Sequence, residues 1–128
     1  MKLESSIATI AKPIDEVFEQ LTKASTYELL MPEEVSFSIK DEKHFSFKLG
    51  SMPTIPLKLE RQISNKQIVM AADGASVPFE LSANLESIHQ ETKIQLVFEG
   101  NINPIMQMMV KKPLTKFLEA LVANSRIL

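Results

Sequence analysis

Arg61 is the residue whose type and position bear most directly on chemistry. It shares an alternating phase with Ile55, Leu57, Leu59 and Ile63, so strict alternation points its guanidinium to the apolar side of a strand. A charge buried alone there is costly and must be paired or meet a ligand. The forked donors of arginine suit a carboxylate or phosphate head group. Against this stands a structural reading, in which Arg61 closes a strand end, snorkels to water or pairs with an acid.

The other reactive side chains are less organised. His44 and His89 are the only histidines; neither has the Asp, Glu or His spacing that a metal site or a triad needs. The acid pairs Asp15-Glu16, Glu33-Glu34 and Asp41-Glu42 are adjacent in sequence, whereas acid/base catalysis needs carboxylates that face each other in a partly desolvated site. The absence of Cys excludes disulfides, thiolate nucleophiles and zinc-thiolate sites. Three scattered glycines form no phosphate loop or dinucleotide fingerprint. No catalytic residue, metal ligand or cofactor is therefore assigned. Tyr27, Ser5 and Thr9 supply the few neutral polar groups able to orient a ligand. The methionines at 31, 52, 70, 106, 108 and 109 suit either plain core filling or an adaptable pocket wall.

The elements that must position these groups follow from periodicity. Lys2–Ala11 reads as a first strand with Leu3, Ser5, Ile7 and Thr9 in one phase, ended by Lys12-Pro13. Ile14, Val17, Phe18 and Leu21 recur at helical spacing. Pro13 fits that helix's first turn, and Asp15 and Glu16 favour its positive end. Ser25 or Thr26 is placed to cap a second short helix that stops at Met31-Pro32. Six alternating segments come next: 35–40, 45–49, 55–63, 68–72, 79–86 and 94–102, with a bulge or strand end expected near Ser87. Asn103 is a fitting N-cap and Pro104 a fitting first residue of a long terminal helix. Pro113 should kink that helix, because it removes the bond to the Met109 carbonyl. The apolar stripe also rotates by roughly 100–150° from the first half to the second, so two differently buried faces are expected.

Composition narrows the class. A chain of 128 residues with no Pro/Gly/Ser-rich linker is read as one domain over 1–128. A net charge of −2, one Tyr, no Trp and no basic block argue against a nucleic-acid surface. The opening residues lack an apolar leader, and no run is long enough to span a bilayer. A cytoplasmic protein without integral membrane association is expected, with homodimerisation left open.

The order of strand, two short helices, six strands and long terminal helix resembles the START-like (SRPBCC, helix-grip) superfamily across the whole chain. The stretch Ile7 to Leu21, with its Lys12-Pro13 corner and Val17-Phe18 helix, carries most of the likeness. Tyr27–Pro32 resembles that family's second helix, and Asn103-Pro104 leads into a helix like its last. The resemblance implies an α+β fold in which a seven-stranded curved antiparallel sheet grips the terminal helix and encloses a cavity. The inward phase then nominates Phe37, Phe47, Leu57, Met70, Phe79, Leu81 and Phe98 from the strands and Met106, Met109 and Phe117 from the helix, with Tyr27, Thr9 and Arg61 as polar contacts. The expected function is non-catalytic binding, transport or sensing of a small hydrophobic ligand such as a lipid, quinone or aromatic acid. The alternatives are a polyketide-cyclase- or hydrolase-like enzyme of the same superfamily, and a protein-interaction module with a filled cavity.

Overall fold

The computed structural model describes residues 1–74 and 78–128. Strands β1 (Lys2–Glu4) and β2 (Ala8–Ile10) are followed by helices α1 (Ile14–Leu21) and α2 (Ala24–Leu30). Strands β3 (Val35–Asp41), β4 (His44–Leu49), β5 (Ile55–Ile63), β6 (Gln67–Ala72), β7 (Phe79–Ile88) and β8 (Glu91–Gly100) come next. Helix α3 (Pro104–Asn124) and a short 3-10 turn (Ser125–Ile127) finish the chain. The strands form one curved antiparallel sheet in the order β1-β8-β7-β6-β5-β4-β3, with β2 also paired to β8. The expected α+β architecture is present, with its first strand divided in two.

That division changes which residues face the core. Glu4 pairs with Val97 and Ala8 with Ile94, so four steps on one strand oppose three on the other. One extra residue reverses the phase. Ser5 is buried, where its hydroxyl accepts from Leu96 N at 2.9 Å and donates to the Ser6 carbonyl. Ala8 and Ile10 then replace Ile7 and Thr9 on the inner side, and both Ile7 and Thr9 are exposed. Thr9 is thus removed from the interior.

A second bulge corrects the reading of Arg61. Leu59 pairs with Met70, but Arg61 pairs with Val69, which leaves Glu60 as the additional residue. The phase switches, and Arg61 lies on the outer face. There its Nη1 and Nη2 donate to the two carboxylate oxygens of Glu80 at 2.9 and 3.2 Å. Arg61→Leu is therefore expected to leave affinity for acidic and neutral ligands equally unchanged, measured by titration with matched acid and ester probes. Its effect on stability should be small, since exposed ion pairs contribute little.

The turns follow local chemistry. His89 and Gln90 both have positive φ (46° and 68°) and form the two-residue connection of the β7–β8 hairpin, where the left-handed conformation matches strand twist. β7 ends at Ile88, one residue beyond Ser87, with its register to β8 unbroken. The β3–β4 turn is organised by Asp41, whose carboxylate accepts from the backbone of Lys43 and His44 and pairs with the His44 ring at 2.8 Å. The His44 bond, with the backbone donors, holds Asp41 below the usual carboxylate range. Lys23 rather than Ser25 or Thr26 occupies the N-cap position of α2, with no side-chain cap.

The core lies between the inner face of the sheet, the two short helices and the second half of α3. Ile10, Val17, Leu21, Ile68, Met70, Ile94 and Leu118 are almost fully enclosed. Tyr27 is buried too, stacks on Phe45 at 5.5 Å and donates its hydroxyl to the Leu21 carbonyl at 2.7 Å. Burial pushes its phenol pKa well above the ordinary tyrosine value of 10.0. The folded state therefore holds this proton after the unfolded chain has released its own. The associated stability is complete below pH 10 and declines as pH rises beyond it, by about 1.4 kcal/mol per pH unit. Tyr27→Phe should remove that alkaline component and cost about 1–3 kcal/mol at neutral pH by leaving a buried carbonyl without its donor. As Tyr27 is the only tyrosine, alkaline tyrosinate absorbance reads it directly, and an ordinary titration midpoint in the folded protein would contradict the burial argument.

Candidate ligand-binding cavity

The open space within the fold is set by the start of α3. Asn103 caps the helix by accepting from Met106 N at 2.9 Å, with Pro104 in the first turn. Gln107 Nε2 donates to the Ile102 carbonyl at 2.6 Å and fixes the approach to the helix. The far half is tied down separately. Glu119 accepts from the backbone and hydroxyl of Ser6, and Asn124 Nδ2 donates to the Leu30 carbonyl at 2.8 Å. Between these anchors Pro113 withholds the N–H that would bond the Met109 carbonyl.

Under the first half of α3 lies a cavity of about 450 Å³. The sheet contributes Phe47, Ile55, Pro56, Phe79, Leu81 and Phe98. The loop before β5 contributes Met52, Pro53 and Thr54; the turn after β6 contributes Gly74. Ile102, Met106, Val110, Leu114, Phe117 and Leu118 complete the wall. Among the described residues that line it, Thr54 has the only polar side chain, and none is ionisable. Phe79 and Phe98 form one aromatic pair at 5.1 Å. Gly100 faces this pair, and a Cβ there would come within 2.9 Å of Phe79 Cβ, so a side chain at 100 would push Phe79 out of place.

The inner end is closed by Phe47 and Phe117, whose rings stack at 4.8 Å and 10°. Both, together with Leu81, also border a much smaller void, of about 10 Å³, deeper in the core. The stack is thus a partition between ligand-sized space and solid packing. That deeper void is lined in part by Tyr27, Leu57, Met70 and Leu81.

The nominated residues divide accordingly. Phe47, Phe79, Leu81, Phe98, Met106 and Phe117 come together around the cavity. Tyr27, Leu57 and Met70 face inward but belong to the packed interior. Phe37 packs on Phe45 at 5.2 Å, away from the cavity lining. Arg61 and Thr9 are on the outside. Met109 is exposed and borders a separate groove with Pro113, Lys116 and Glu34. The two expected buried faces of α3 are not both realised: Val110, Leu114, Phe117, Leu118, Leu121 and Val122 are buried, while Ile105, Met108 and Met109 remain exposed.

Several wall residues escaped the strand phases. Val110, Leu114 and Leu118 recur every fourth residue, a helical stripe that marks one face. Pro53 and Thr54 sit in a loop without periodicity, and no pattern marks them; Met52 beside them is one of the methionines suited to a pocket wall, and it does line the cavity.

A sheet wrapped about a terminal helix, with an apolar cavity between the two, is the START-like helix-grip fold. No family model and no curated protein matches the sequence. Among solved structures, a START superfamily protein from Mycobacterium smegmatis aligns over 98% of this chain and 94% of its own, with TM-score 0.73 and 14% identity. A protein of Thermus thermophilus aligns over 99% of this chain and 95% of its own, with TM-score 0.75 and 11% identity. At such identities the likeness is one of fold.

Proposed function

We propose that this protein is a single-domain, non-catalytic binder of a small, predominantly apolar ligand. The observation that carries this reading is the 450 Å³ cavity whose described lining has one hydroxyl and no charge. The volume falls within the range of small-molecule sites, and is about three times the ~150 Å³ that suffices to hold benzene in an apolar core. Transfer of apolar ligand surface from water supplies the driving force. Thr54 offers one neutral polar contact to fix orientation. With Arg61 outside, an acidic head group has no cation waiting for it among the described wall residues, so neutral ligands are favoured.

Native mass spectrometry of the purified protein, followed by organic extraction, tests this. A co-purifying apolar compound, or uptake of neutral lipids and quinones from a panel, is the expected result. An empty protein that ignores the whole panel would overturn the reading.

A further inference from the structure

The outward face of α3 has no role in the cavity, yet it is unusually apolar. Three of the nine exposed large hydrophobic side chains among the described residues lie on it: Ile105, Met108 and Met109. Ile105 is 74% exposed, Met108 86% and Met109 67%. With 3.6 residues per turn, these three share an arc of about 100° with Lys112 and Lys116, opposite the buried Val110, Leu114 and Phe117. Lys111 adds a third exposed cation on the flank. None of the three lysines is in an ion pair among the described residues. The only acid of α3, Glu119, is held by Ser6, and Glu34 across the side groove makes no ion pair with Lys116.

We propose that this face docks the protein onto an anionic lipid bilayer. Exposed apolar side chains followed by basic ones match the interface of a membrane, where the first enter the acyl boundary and the second meet anionic head groups. Methionine adapts readily to such a disordered surface. Charge decides against a second copy of this chain, because a two-fold contact through the helix would set the lysine-bearing faces against each other. Met106 is both partly exposed and part of the cavity wall, so docking brings the rim of the cavity to the bilayer. The inference does not depend on what the cavity holds.

Vesicle flotation tests it, with phosphatidylcholine vesicles against vesicles that also contain phosphatidylglycerol. The protein is expected to float with the anionic vesicles at low salt and to be released by high salt. Lys111→Gln/Lys112→Gln/Lys116→Gln should weaken partitioning about a hundredfold, and Ile105→Ser/Met108→Ser/Met109→Ser about tenfold or more. Both triple variants change exposed side chains, so an unchanged Tm verifies that they fold, and retention of any cavity ligand verifies that the two readings are tested apart. Three results would overturn the proposal: no flotation with anionic vesicles at low salt, equal flotation with neutral ones, or a soluble dimer that Met108→Ser dissociates.

Discussion

Phe117→Ala is expected to lower stability by about 3–5 kcal/mol, the usual loss when a buried aromatic ring is removed. For a chain of this size that corresponds to a fall of about 10–20 °C in Tm. Phe117 is 4% exposed and stacks directly on Phe47, so its ring joins the terminal helix to the sheet. Its removal also deletes one of the three side chains, with Phe47 and Leu81, that border both the large cavity and the small deep void. The merged space should admit longer or bulkier apolar ligands than the wild type does. Calorimetry with a homologous ligand series reads both effects. A stability loss below about 2 kcal/mol would mean that the surroundings collapse into the gap, and the size limit would then lie elsewhere.

Filling the cavity should have the opposite signature. Val110 lines the cavity from the first half of α3, and Val110→Trp directs a large ring into the empty space. Uptake of apolar ligands should weaken by about tenfold or more while Tm holds or rises, because wall atoms that faced a void gain contacts. The chain has no natural tryptophan, so the emission of the new residue reports whether its ring is enclosed. Unchanged affinity with an enclosed ring would place the ligand outside this cavity. A drop of about 1–3 kcal/mol in stability, typical of overpacking, would show that the space is less accommodating than its volume.

The contrast between these variants rests on a distinction that sequence patterns do not carry. Leu57, Met70 and Phe79 look alike to a period-2 reading, since all three face inward. Whether a side chain borders empty space or packed neighbours depends on how far α3 stands from the sheet, which is a property of the assembly. Element order and type were legible because alternation, helical spacing and the Asn103-Pro104 cap act over a few residues. Arg61 and Thr9 depart from their expected faces for one reason: bulges emerge only when residues are counted across paired strands, and each reverses the phase that follows. The exposed Ile105, Met108 and Met109 defeat a different assumption, that an apolar stripe on a helix is always covered within the chain.

The extra residue in β5 also bears on how the gene for this protein can change. Leu59 already pairs with Met70 and Arg61 with Val69, so loss of Glu60 would regularise the strand and keep every partner. The outward Arg61 would stay outward. A deletion within the unbroken β7–β8 ladder has no such slack, since every later residue would exchange core for solvent. Sequence length is therefore freer at Glu60 than in β7, and insertions or deletions that survive in related chains should gather at positions of this kind.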